Sequence, residues 1–188
     1  MRKAALIGFI FAVSIAGRAQ STDVALTTGG YFAVSNPADF GAAFALEGTV
    51  AHNFAEIPFA ALGVEVPIAG SFKSSIPTLA GTRLARSYTS LFITPGLRLR
   101  LAPSFPLSPY FAVGLGYGRF NRTFFDGSTN AQSTFAVDIG GGLDLKVLPF
   151  ISLRGEIRDF NSGGVDISTL ALGRQNNVFV TVGVALRF

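Results

Sequence analysis

Every second residue from 178 to 188 is a large apolar one: Val178, Val180, Val182, Val184, Leu186 and Phe188. Between them stand Phe179, Thr181, Gly183, Ala185 and Arg187. Successive side chains of a strand point to opposite sides, so a period of two predicts an extended strand with two different faces. The same rule recurs upstream. Ile151, Leu153 and Ile157 oppose Ser152, Arg154, Glu156 and Arg158. Phe135, Val137, Ile139, Leu143 and Leu145 oppose Ala136, Asp138, Gly140, Gly142, Asp144 and Lys146. Phe111, Val113, Leu115 and Tyr117 alternate with small residues, and Leu97, Leu99 and Leu101 alternate with Arg98 and Arg100. Less regular alternation runs through Leu26–Val34, Phe44–Val50 and Leu62–Val66. The pattern predicts strands over 23–35, 41–54, 58–69, 87–102, 109–122, 132–147, 150–161 and 176–188.

Which face is greasy decides between solvents. A soluble barrel turns its large apolar side chains inward and covers itself with Lys, Glu, Asn and Gln. Here the apolar face is almost pure Val, Leu, Ile and Phe, while the charges share their face with Gly, Ala, Ser and Thr. Small residues beside charges indicate a narrow interior in which opposite walls compete for space. Closure also removes the unpaired strand edges that hydrocarbon does not tolerate. The predicted fold class is therefore all-β, an eight-stranded antiparallel up-and-down transmembrane β-barrel. Connections after the second, fourth and sixth strands are short, and the others are longer and more polar. That asymmetry predicts periplasmic turns at one end and external loops at the other.

The first residues follow a different rule. Met1-Arg2-Lys3 is basic, residues 4–16 are apolar except for Gly8 and Ser14, and Gly17-Arg18-Ala19 supplies small residues around a cut after Ala19. Residues 1–19 read as a signal peptide, and 20–188 as the barrel domain. The leader's Arg2, Lys3 and Arg18 supply three of the four net positive charges of the full chain. The high isoelectric point thus says nothing of nucleic acid, and none is expected as a partner. With no cysteine in the chain, stability cannot come from disulfides.

Strand parity places Glu47, Glu65, Asp138, Asp144 and Glu156 inside, with Arg98, Arg100, Lys146, Arg154, Arg158 and Arg187. Buried charges are costly unless paired, so these residues are expected to form an ion-pair network that plugs the interior. Aromatics near strand ends (Tyr31, Phe54, Phe59, Tyr88, Phe105, Tyr110, Phe120, Phe150, Phe160 and Phe188) are candidates for interfacial girdles, with core packing as the competing reading for Tyr31 and Phe160. His52, the single histidine, points toward lipid by parity and has no adjacent serine, so no catalytic residue is assigned. One histidine without cysteine builds no zinc-type cluster. The glycine runs lie within strands and are no phosphate loops. Neither a cofactor nor a metal is expected.

The C-terminal strand and residues 140–160, GGGLDLKVLPFISLRGEIRDF, carry a resemblance to the OmpA-like, opacity-type small outer-membrane barrels. The resemblance implies a porin-like fold made as an exported precursor and held in a bacterial outer membrane among lipid that includes lipopolysaccharide. It implies that Val180, Val182, Val184, Leu186 and Phe188 form the signal read by the outer-membrane assembly machinery. A small-barrel deacylase would carry His-x-Ser, whereas this chain has His52-Asn53-Phe54. The leading expectation is a non-enzymatic structural or surface-interaction protein. An external ligand, unknown from sequence, would meet the loops at 69–86, 121–132 and 161–175, beside Arg83, Arg86, Arg119, Arg122 and Arg174. The alternatives are an outer-membrane lipid-modifying enzyme and a secreted soluble barrel that binds an apolar ligand.

Overall fold

The structure is a computed structural model that describes residues 22–34, 42–72, 78–79, 82–83, 87–123, 128–163 and 175–188. The expected signal peptide lies outside the described residues, as do parts of the longer connections and the side chains of Arg83, Arg86, Arg122 and Arg174. Eleven strands are present among the described residues. The long ones are β1 (Thr22–Val34), β2 (Ala42–Ile57), β3 (Ala60–Phe72), β8 (Leu107–Thr123), β9 (Thr129–Leu148), β10 (Ile151–Ser162) and β11 (Gln175–Arg187). Between β3 and β8 come the two-residue strands β4 (Thr78–Leu79) and β5 (Thr82–Arg83), then β6 (Ser87–Ile93) and β7 (Gly96–Leu101).

All but β4 and β5 join one antiparallel nine-stranded sheet, which β2–β3 and β8–β7 pairings bend back on itself. Register makes the closure concrete. Phe32 opposes Val178, then Asp159, Ile139, Val113, Leu97, Val64 and His52 follow from strand to strand. His52 opposes Thr22, so the path re-enters β1 ten residues from its start. A sheet that returns to its first strand at a displaced register is a closed, sheared barrel.

Residues 87–102 were expected as one continuous strand and instead form two, β6 and β7, separated by Thr94-Pro95. Both pair with β3 on one side and β8 on the other. Proline has no N–H to give the ladder, and Pro67 stands on the neighbouring strand at the same level, accepting from Thr94 N at 3.4 Å. The interruption leaves the facing of side chains unchanged, with Phe92, Thr94 and Arg98 all buried.

Burial follows the alternation in every long strand. Leu26, Val64, Leu115, Ile139, Leu153 and Val182 are exposed, at 62%, 47%, 60%, 65%, 50% and 65%. Ala25, Ala45, Ala61, Ala112, Ala136 and Ala185 are buried along with most of the charged groups. This is the reverse of a water-soluble protein, and the reverse of what the soluble ligand-binding barrel requires. Glycine permits a close approach at Gly183, where a Cβ would overlap the carbonyl of Leu26 across the β1–β11 pair. Short turns join β2 to β3, β7 to β8 and β9 to β10. In the second, Ala102 takes φ 49°, and Ser108 Oγ braces it by donating to the Ala102 carbonyl at 2.8 Å.

Candidate functional site

The barrel interior carries three stacked layers. The layer nearest Thr22 and Phe188 holds Arg98, Arg100, Arg154 and Arg187 around Asp23 and Asp144. Arg154 Nε donates to Asp144 Oδ1 at 2.8 Å and Arg154 Nη2 to Asp23 Oδ1 at 3.3 Å. Arg98 Nη1 reaches Asp23 Oδ1 at 3.0 Å, and Arg100 bonds both aspartates, Asp144 Oδ2 at 2.9 Å. Arg187 closes the layer on Asp144 Oδ2 at 3.4 Å. The ring of Tyr110 lies under two guanidinium groups, 3.8 Å from that of Arg98 and 4.9 Å from that of Arg154.

The next layer reverses the sign. Arg158 is a hub for Glu47, Glu65, Asp138 and Glu156. Its Nε lies 2.7 Å from Glu156 Oε1 and 3.2 Å from Glu47 Oε1. Its Nη2 donates to Glu65 Oε1 at 2.7 Å and its Nη1 to Asp138 Oδ2 at 2.5 Å. Two contacts stitch the layers together: Tyr110 Oη donates to Glu156 Oε2 at 2.7 Å, and Arg98 Nε lies 3.8 Å from Glu65 Oε2. Small residues make the room. A Cβ on Gly114 would overlap Asp138 Oδ1, and one on Gly140 would sit 3.0 Å from the Arg158 side chain.

Above the charges lies an aromatic layer. Tyr31, Phe179, Phe160, Phe92, Phe120 and Tyr88 form one chain of ring contacts, with centroids 4.7–5.7 Å apart between neighbours, and each is fully buried. Edge-on and offset rings are the favoured geometries for such pairs. A polar cap covers them: Tyr31 Oη donates to Asn177 Oδ1 at 2.8 Å, and Asn177 Nδ2 donates to the Phe160 carbonyl at 2.7 Å.

Of the charged residues singled out in the sequence, Glu47, Glu65, Asp138, Asp144, Glu156, Arg98, Arg100, Arg154, Arg158 and Arg187 come together here. Lys146 does not. It is exposed at the end of β9, beyond the Asp144 layer on the side of the β9–β10 turn, and makes no ion pair among the described residues. Sequence reasoning missed Asp23, whose parity with Ala25 was the available signal. The girdle expectation needs correction at Tyr88, Tyr110 and Phe120, which are buried inside, while Tyr31 and Phe160 follow the competing core-packing reading. Position near a strand end suggested the rim, but parity decides the face. Phe54, Phe59, Phe105, Phe150 and Phe188 do project outward. So does His52, whose Nδ1 sits 2.9 Å from Thr22 Oγ1. Val180, Val182, Val184, Leu186 and Phe188 lie on the outer face of β11. Among the described residues no group of His, Cys, Asp or Glu is placed to hold a metal ion.

No protein-family model matches the chain, and no curated protein matches it. Solved structures do match in fold. Neisserial surface protein A is 17% identical, with a TM-score of 0.64 over 91% of this chain and 99% of that one. Ail, the attachment invasion locus protein of Yersinia pestis, is 13% identical, with a TM-score of 0.58 over 91% and 100%. The outer membrane protein OprG from Pseudomonas aeruginosa is 14% identical, with a TM-score of 0.52 over 92% and 98%. The chain has the fold of small outer-membrane β-barrels.

Proposed function

We propose that the chain is an integral bacterial outer-membrane protein with a structural or surface-interaction role, exported behind residues 1–19 and folded over 20–188. In this reading β6 and β7 act as one stave of an eight-staved, up-and-down transmembrane barrel. A ten-residue shear corresponds to roughly 33 Å along the strands against roughly 38 Å across eight staves, a tilt of about 40°. That tilt is the usual one for strands crossing a bilayer.

The observation that carries the reading is the inversion of faces: hydrocarbon-like side chains outside, ion pairs inside. A network of buried charges and a buried aromatic layer fill the bore, which favours an anchor or a docking scaffold over a channel. The outward histidine, distant by parity from the interior carboxylates, gives the lipid-modifying enzyme no support. Outer-membrane lipid, including lipopolysaccharide, surrounds the wall. The assembly machinery reads the C-terminal row that ends in Phe188, in keeping with the OmpA-like, opacity-type character of residues 140–160. An external ligand meets the loops at 69–86, 121–132 and 161–175, where arginines suit phosphate or sulfate groups. Ail has been crystallised with the heparin analogue sucrose octasulfate, which is in keeping with polyanion capture at such a surface.

The test is the mobility of detergent-extracted protein on an SDS gel with and without boiling. A compact barrel migrates differently before boiling. Identical mobility, with solubility retained once detergent is removed, would overturn the membrane reading.

A further inference from the structure

One acidic side chain interrupts the apolar outer wall of β10. Asp159 faces outward between Ile157 and Asn161, and its register neighbours are Val178 and Ile139. With Val137, Ile139, Asn161 and Asn176 it lines an open hollow of about 390 Å³. Two other hollows of the wall, of about 530 and 200 Å³, are lined mainly by Leu, Val, Gly and Phe. Asp159 Oδ1 accepts the backbone N–H of Asn177 at 3.0 Å. Its other oxygen has no hydrogen-bond partner among the described residues. Asn161 Nδ2 donates to Asn176 Oδ1 across the same rim.

Depth narrows the occupant. Asn161 and Asn176 face each other one outward pair above Asp159, and Asp159 is level in register with Val178 and Phe32. In the membrane reading, a position one outward pair below Asn161 and Asn176 puts the carboxylate near the outer rim of the hydrocarbon, where an acceptor without a donor is expensive. We infer that this hollow seats a membrane lipid whose hydrogen-bond donors lie at the root of its acyl chains. An amide-linked, hydroxyacylated glycolipid has that chemistry: its amide N–H or chain hydroxyl meets the open Asp159 oxygen while its chains run down over Val137 and Ile139. Ester-linked phospholipids offer only acceptors at that level. A second copy of the chain fits worse, because a two-fold contact through this face would bring two Asp159 carboxylates into one apolar seam.

The inference rests on the membrane reading, and one preparation separates the two. The full chain is refolded into nanodiscs and offered lipid A or a diester phosphatidylcholine, with retained lipid counted by native mass spectrometry. Wild type is expected to prefer lipid A by about ten-fold, the worth of one charge-assisted hydrogen bond. Asp159→Asn, which still accepts the Asn177 N–H, weakens the preference. Asp159→Val abolishes it and raises the unfolding temperature in phosphatidylcholine alone. A preference equal in all three proteins overturns the lipid seat and leaves the barrel standing. Failure to form any heat-modifiable barrel removes both.

Discussion

At the scale of single residues, the interior charges are unequal partners. Four arginines share two aspartates near Thr22 and Phe188, whereas Arg158 alone serves Glu47, Glu65, Asp138 and Glu156. Removing Arg100 leaves Asp23 and Asp144 with other guanidinium groups; removing Arg158 leaves the acid layer no ion pair beyond the distant contact of Glu65 with Arg98, beside the hydrogen bond from Tyr110 to Glu156. Breaking a buried ion pair from one side costs about 3–5 kcal/mol, because the orphaned charge stays buried. Arg158→Met is therefore expected to lower unfolding stability by about that much, and Arg100→Met by clearly less. Lys146→Gln, at an exposed site, should stay within about 0.5 kcal/mol of wild type. Urea titration of the three variants in lipid vesicles reads this order, and equal losses for Arg158→Met and Arg100→Met would contradict the hub.

At the scale of strands, the weak seam is the Thr94-Pro95 break. Neither Pro67 nor Pro95 can donate, and the bond from Thr94 N to Pro67 spans 3.4 Å, although Pro95 still accepts from Leu115 N at 3.0 Å on the β8 side. By contrast β1 and β11 pair without interruption from Asp23 to Val34. Amide exchange at Thr94 is expected to run faster than at Ala25 or Leu26, since exchange reports local opening. Uniform protection across β1, β6 and β7 would show that the break costs the wall nothing. The break also marks what sequence conveys and what it hides. A barrel wall one strand thick gives each strand two environments, so parity alone assigned Leu153 outward and Arg154 inward, and it survived the break at Pro95. Pairing across the bore is different. Asp23 meets Arg98, Arg100 and Arg154 because a ten-residue shear brings β1, β7 and β10 to one level, and no local pattern encodes that shear. Asp159 was hidden for another reason: it obeys the alternation of β10 in position while breaking it in chemistry.

For the whole molecule, the stacking of layers determines whether the bore conducts. An ion entering from the end near Arg187 would first meet charges already committed to each other, then a layer of six buried rings in which only the hydroxyls of Tyr31 and Tyr88 are polar, too few to replace its hydration. Removing water from an ion in such surroundings is prohibitive. The two barriers lie in series, so opening one leaves the other closed. Arg154→Leu takes out one of the three arginines that link Asp23 to Asp144 and should destabilise the barrel without creating a current in planar bilayers. Phe92→Ala with Phe160→Ala opens the aromatic layer while the ion pairs stay in place, and it too should remain silent. A steady conductance from Arg154→Leu alone would mean that the rings do not seal the bore, and the scaffold reading would then give way to a gated channel.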